Sequence, residues 1–85
     1  MHYDYMTKNT CSRVISLDLE GDVVHNVRFF GGCDGNLKAI GKLVEGHDAT
    51  EVIELLKGNT CGYKNTSCGD QLALALEAAL AQQAQ

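Results

Sequence analysis

The sequence predicts an α+β fold in which a small antiparallel β-sheet of two or three strands is followed by three α-helices. The spacing of apolar residues carries this prediction. They alternate with polar residues in the first part of the chain, which is the period of a half-buried strand, and recur every three or four positions after residue 34, which is the period of a helix. Glycine alone separates the elements, because the chain has 9 glycines and no proline.

The strand pattern predicts a short first strand followed by a hairpin. Alternating apolar residues mark each strand, and Glu20-Gly21-Asp22 is the turn signal of the hairpin. The residues predicted to face inward are Tyr3, Tyr5 and Thr7 in the first strand, Ile15, Leu17 and Leu19 in the second, and Val23, Val27 and Phe29 in the third, with His25 on the same face as a hydrogen-bonded, partly buried histidine.

A three-residue turn is the hairpin register that we expect. It places Leu19 opposite Val23, and farther from the turn it places Ile15 opposite Val27, so that both apolar faces coincide. A two-residue turn would rotate the apolar face of one strand outward.

Helical periodicity and capping signals predict the three helices. Asp34 and Asp48 are candidate N-caps, and Asp48 opens a capping box that closes at Glu51. The last helix is expected from about Gly69 to Ala81. The inward-facing residues are predicted to be Leu37, Ile40 and Val44, then Val52, Ile53 and Leu56, and finally Leu72, Ala75, Leu76, Ala79 and Leu80.

Length and charge limit the function. The 85 residues form a single domain over 1–85, of a size that often needs a metal, disulfides or a partner subunit for stability. Seven basic and eleven acidic residues give a net charge of -4 with no basic patch, so we expect no nucleic-acid binding. No apolar run approaches the ~20 residues of a membrane span. The start lacks a signal-peptide pattern, so we expect the cytoplasm, where persistent disulfides are rare.

The four cysteines, Cys11, Cys33, Cys61 and Cys68, are the candidate functional residues. All lie in loops or at the ends of predicted elements, where the backbone can bend around an ion. Cys68 opens the last helix, and a helix N-terminus favours thiolate over thiol. Four thiolates complete a tetrahedral zinc site at about 2.3 Å, and they hold an iron–sulfur centre equally well. The alternatives are a redox dithiol or disulfide, and inert buried thiols.

The expected register brings two of the cysteines together. It places Cys11 opposite Gly31, with Cys33 two residues beyond on the same side, and diagonal neighbours on a sheet lie roughly 7–8 Å apart. Arg13 projects from the same face as Cys11, so it is predicted to lie beside the thiolates and stabilise their charge, with a surface arginine as the alternative.

Four segments of the chain closely resemble the TSCPD-domain family: residues 30–37 (FGGCDGNL), 43–46 (LVEG), 56–62 (LKGNTCG) and 66–70 (TSCGD). The chain looks like the free-standing four-cysteine bacterial branch, with Gly69 in place of the family's proline. A related domain occurs near the C-terminus of adenosylcobalamin-dependent ribonucleotide reductases. The resemblance therefore implies a link to deoxyribonucleotide synthesis and a reductase or another protein as partner, with the domain a monomer or homodimer that is not an enzyme on its own.

The order of elements is similar, more distantly, to iron–sulfur scaffold proteins of the NifU-like fold, in a NifU/SufE-like arrangement. Cys11, Cys33 and Cys68 match the three cluster cysteines of that family. Arg13 stands where the scaffolds have an acidic residue, and Ser67 stands where they have a histidine. These departures favour a closed four-thiolate site over a cluster carrier, with Arg13 and Ser67 beside the metal ligands.

Overall fold

The computed structural model describes residues 1–7, 13–31, 34–58 and 68–84, and these residues confirm the α+β architecture. A three-stranded antiparallel sheet in the order β1-β2-β3 precedes three helices. The likeness to NifU and SufE stays a prediction. The elements are β1 His2–Met6, β2 Val14–Glu20, β3 Val23–Phe30, α1 Asp34–Val44, α2 Ala49–Leu56 and α3 Cys68–Gln83.

The β2–β3 hairpin has a two-residue turn, so the predicted three-residue register is wrong. Glu20 pairs with Val23, and Leu19 pairs with Val24. Gly21 has a φ of 62°, as a type II′ turn requires at its first central residue. Val24, and not Val23, is therefore the fully buried valine at the start of β3.

A β-bulge at Asn26 reconciles this short turn with the apolar pattern. The register shifts between Ser16 and Asp18, so β3 contributes one extra residue to the hairpin. Asn26 has a φ of 55°, in the left-handed region that asparagine tolerates better than most residues. Because the bulge reverses the alternation of faces, Val24 before it and Val27 after it both pack toward the core.

The core lies between the inner face of the sheet and the helices. Ile15 and Leu17 are fully buried and Leu19 is 2% exposed, which confirms the predicted inner face of β2. Tyr3 and Tyr5 pack against the edge of this core from β1. The buried residues that meet them from the helices include Val44 of α1, Ala49 and Val52 of α2, and Leu72, Ala75, Leu76 and Ala79 of α3.

The helix boundaries follow the predicted capping signals closely. The side chain of Asp48 accepts hydrogen bonds from the backbone N–H groups of Thr50, at 2.9 Å, and Glu51, at 3.3 Å, which confirms the N-cap of α2. The cap predicted at Asp34 concerns a side chain outside those described. None of the described helices is long and apolar enough to cross a membrane.

Gly41 allows α1 to lie directly against β3. A Cβ atom at this position would lie 3.0 Å from the carbonyl oxygen of Val27, which is closer than side-chain carbons normally approach backbone oxygens. Gly35 belongs to the same helix, and a Cβ atom there would meet nothing within 4 Å. The two glycines therefore differ in packing, and Gly35 lies in the first turn of α1 whereas Gly41 lies in its interior.

This difference predicts opposite effects of the same substitution. Alanine is favoured over glycine inside helices, so Gly35→Ala should raise the free energy of unfolding by about 0.5–1 kcal/mol. Gly41→Ala should lower it by about 1 kcal/mol, because the methyl group pushes α1 away from the backbone of β3. Urea denaturation of both variants measures the two values. A stabilising Gly41→Ala substitution would show that the helix and strand are free to separate.

Candidate functional site

One of the predicted metal ligands lies within the described residues. Cys68 is half-buried and is the first residue of α3. Cys11, Cys33 and Cys61 lie outside the described residues, as does Ser67. Among the residues that are described, no group of three or more histidine, cysteine or acidic side chains is arranged to hold a metal ion. The four-cysteine site thus stays a prediction.

The described residues that flank Cys11 and Cys33 meet at one end of the sheet. The backbone N–H of Arg13 donates to the carbonyl oxygen of Phe30 at 2.8 Å, and the N–H of Thr7 donates to the carbonyl oxygen of Arg13 at 3.0 Å. The residue that precedes β2 therefore lies beside the last residue of β3. Arg13 is exposed, and its role beside the thiolates stays a prediction.

A buried carboxylate joins the end of α2 to the start of α3. The backbone N–H of Gly58 donates to Oδ1 of Asp70 at 2.6 Å, and Asp70 is 8% exposed. Gly58, three residues before Cys61 in the sequence, therefore lies at the first turn of α3, which begins at Cys68. The sequence analysis did not identify Asp70, although an acidic residue in the first turn of a helix is a known stabilising signal.

The first turn of α3 lies far from the β2–β3 turn. At the other end of this helix, the side-chain amide of Gln83 donates to the carbonyl oxygen of Gly21 at 2.7 Å. Sixteen helical residues rise about 24 Å, and the seven residues of β2 span about 23 Å. The separation of Cys68 from the hairpin turn is thus close to the length of a strand.

Relative to this turn, α1 has the same polarity as α3, and α2 has the opposite polarity. The N–H of Ala49 donates to the carbonyl oxygen of Asp22 at 2.7 Å, so α2 starts at the hairpin turn and runs antiparallel to α3. The N–H of Gly46 donates to the carbonyl oxygen of Val24 at 2.8 Å, so α1 ends near that turn and begins far from it. Residue 34, which follows Cys33, is accordingly remote from the hairpin turn.

A histidine and two carboxylates meet on the sheet face turned away from the core. Nδ1 of His2 lies 2.7 Å from Asp18, and Nε2 lies 2.9 Å from Asp4. The hydrogen bond to Asp18, assisted by Asp4, raises the pKa of His2 above its ordinary value. Hydrogen bonds from the side-chain amide of Asn26 and from His2 lower the pKa of the Asp18 carboxyl.

A second histidine–carboxylate pair lies beside the bulge. Nδ1 of His25 is 2.5 Å from Glu45, whose other oxygen accepts the backbone N–H of Asn26 at 2.8 Å. That N–H and His25 together lower the pKa of the Glu45 carboxyl. The prediction of a partly buried, hydrogen-bonded His25 is confirmed. Its placement on the inner face with Val23 and Val27 is wrong, because the short turn and the bulge direct it outward.

Comparison with known proteins adds one finding. The model of the TSCPD domain family matches residues 1–80, a span that includes all four cysteines. No curated protein and no solved structure matches the chain.

The hydrogen bond between Gly58 and Asp70 predicts a loss of stability when the acceptor is removed. Asp70→Ala should lower the free energy of unfolding by about 1–2 kcal/mol, because a charge-assisted hydrogen bond is lost at a part-buried site. Asp70→Asn keeps an acceptor oxygen at the same position and should lose clearly less. Urea denaturation compares the two variants, and equal losses in both would refute the role of the acceptor.

The histidine–carboxylate contacts predict a stability maximum between about pH 4.5 and pH 6.5. The pKa of His2 is raised, so its contribution is complete below 6.5 and is lost as the pH rises through the folded-state value. The pKa values of Asp18 and Glu45 are lowered from 3.8 and 4.5, so their contributions are lost as the pH falls through the folded-state values. In denaturation series, His2→Gln should show a smaller decline from about pH 5.5 to pH 8 than the wild type does. An unchanged decline would contradict the assignment to His2.

Proposed function

The chain belongs to the TSCPD domain family, and from this premise we propose that it is a small metal-binding domain. The ligands are Cys11, Cys33, Cys61 and Cys68, and they hold a zinc ion or an iron–sulfur centre. Arg13 and Ser67 lie beside these ligands and support the charge of the thiolates. The domain is cytoplasmic and is not an enzyme on its own.

The observation that best supports the proposal is the hydrogen bond from Gly58 to Asp70. It holds Gly58, three residues before Cys61 in the sequence, at the first turn of α3, which begins at Cys68. A short connection between two fixed points reduces the conformational entropy that two ligands lose when they bind one ion. This contact therefore supports binding of one ion by Cys61 and Cys68.

The backbone contact between Arg13 and Phe30 supports the other pair of ligands. Cys11 is two residues before Arg13, and Cys33 is three residues after Phe30. Each of these two cysteines therefore lies within three residues of that hydrogen bond in the sequence. The bond is at the end of the sheet opposite the β2–β3 turn. The start of α3 lies about a strand length from the opposite, hairpin end, so one ion can accept ligands from both pairs.

The position of Cys68 favours the ionised thiol that a metal requires. The first turn of a helix directs unpaired N–H groups and the positive end of the helix dipole toward that residue. Metal binding needs the thiolate, so any interaction that stabilises the anion also raises metal affinity. Four protein ligands leave no open coordination position, which is typical of structural zinc and not of catalytic zinc.

A thiol redox accessory is the second candidate. It is favoured by the same contact of Gly58 with Asp70, because a Cys61–Cys68 disulfide needs the chain before Cys61 to lie near the start of α3. In this role the domain would transfer electrons to a ribonucleotide reductase through the Cys61–Cys68 dithiol, the disulfide being re-formed when the reductase is reduced. Iron–sulfur cluster transfer is the weaker alternative, since Arg13 and Ser67 replace the acid and the histidine of the scaffolds.

Metal content and thiol reactivity test the proposal together. Protein purified without oxygen should carry one zinc ion or one iron–sulfur centre per chain by native mass spectrometry and elemental analysis. Its four thiols should react slowly with a thiol reagent until a chelator is added. Metal-free protein with a reversible Cys61–Cys68 disulfide would establish the redox alternative and overturn metal binding.

Substitution of Cys68, the one proposed metal ligand among the described residues, gives a sharper prediction. Cys68→Ser should weaken zinc binding by at least about 100-fold, because a thiolate ligand and its charge are removed. Thr50→Ser, in the first turn of α2, is the matched control and should leave the affinity unchanged. Competition with a chromophoric chelator measures both affinities. Equal affinities for wild type and Cys68→Ser would exclude Cys68 from the ligand set.

A further inference from the structure

A second candidate site lies between β3 and α1, separate from the cysteines. Two adjoining hollows of about 310 and 280 Å³ follow the outer edge of β3. Both are lined by Val27, Arg28 and Lys38, so they form one continuous depression. We call it the β3–α1 cleft.

Positive charge is concentrated in the β3–α1 cleft. Arg28, Lys38 and Lys42 line it, in a chain that has only 7 basic residues and a net charge of -4. Among the described residues that line the cleft, Glu45 is the one carboxylate, and it already accepts a hydrogen bond from Asn26 and pairs with His25. Neither Arg28 nor Lys42 forms an ion pair with any described residue.

The convergence of these cations follows from the fold. Lys38 and Lys42 are one helical turn apart on α1, and Gly41 between them holds that helix against the carbonyl group of Val27. Arg28 is the next residue of β3. The three basic residues therefore line the same stretch of the cleft.

The hollow of about 310 Å³ is lined by apolar residues as well as by charged ones. Phe29, Phe30 and Leu37 line it beside Arg28 and Lys38. Phe30 is 53% exposed, so part of its ring is accessible to a ligand in this hollow. A cleft with few charged groups and an aromatic wall matches the general form of small-molecule sites.

We propose that the β3–α1 cleft binds a small organic phosphate. Its phosphate groups contact Arg28, Lys38 and Lys42, and its apolar or aromatic group packs against Phe30 and Leu37. Arg28 and Lys42 form no ion pair with a described residue, and the arginine fork and lysine ammonium groups are the usual partners of phosphate oxygens. A nucleic-acid strand is disfavoured, because the domain has a net charge of -4 and only three of its 7 basic residues line the cleft.

Binding of adenosine diphosphate tests the proposal, with pyrophosphate and adenosine as comparison probes. In ¹⁵N-labelled protein, ADP should saturably shift the amide signals of residues 26–30 and 37–42. Pyrophosphate should shift the same signals about tenfold more weakly, because it lacks the ring that stacks on Phe30. Adenosine should bind more weakly than either. The absence of saturable shifts at millimolar ADP would overturn the proposal.

Variants separate the cleft from general attraction to cations. Arg28→Gln and Lys42→Gln should each weaken ADP binding about tenfold, and Phe30→Ala should reduce ADP affinity to that of pyrophosphate. Lys57→Gln is the matched control, because Lys57 is also exposed but pairs with Glu77 at the end of α2. It should leave the affinity unchanged. Circular dichroism and the thermal midpoint verify that each variant is folded. Equal weakening by Lys57→Gln would show non-specific attraction and refute the site.

Discussion

The bulge at Asn26 is the constraint on which most of this structure depends. With a two-residue turn at Gly21, a regular hairpin would direct the apolar residues of β2 and of the second half of β3 to opposite faces. One extra residue with a positive φ restores a common inner face. Asn26 also donates a hydrogen bond from its backbone N–H to Glu45, beyond the end of α1, and one from its side-chain amide to Asp18 of β2. The bulge therefore connects β3 to both of these elements.

A second consequence of the bulge is the close approach of α1. The carbonyl group of Val27, next to Asn26, has room for a helix only because Gly41 lacks a side chain. The helix then presents Lys38 and Lys42 beside Arg28 along the edge of β3. Two histidine–carboxylate clusters therefore lie on the outer face of the sheet, and three basic residues line the β3–α1 cleft.

The described residues next to the cysteines make one fixed contact near Cys11 and Cys33 and another near Cys61 and Cys68. The two contacts are of different kinds. A backbone hydrogen bond joins Arg13 to Phe30, the described residues nearest to Cys11 and Cys33 that pair across the two strands, whereas the buried carboxylate of Asp70 holds Gly58 at the start of α3. Both contacts fix described residues that lie within three positions of a cysteine in the sequence. For a domain of 9.2 kDa, a bound metal is a common source of stability.

The sequence by itself determined the fold class, the three helices, the inner face of β2 and the Asp48 cap, because each depends on local periodicity or on contacts within one turn. It also indicated the family, because four segments of the chain carry that resemblance. The tertiary structure alone decided the hairpin register, the outward direction of His25, the contact of Gly58 with Asp70 and the gathering of Arg28, Lys38 and Lys42. These features depend on the left-handed conformation of Asn26 and on contacts between segments that are distant in the sequence. Neither cause produces a periodic pattern of residues from which it could be predicted.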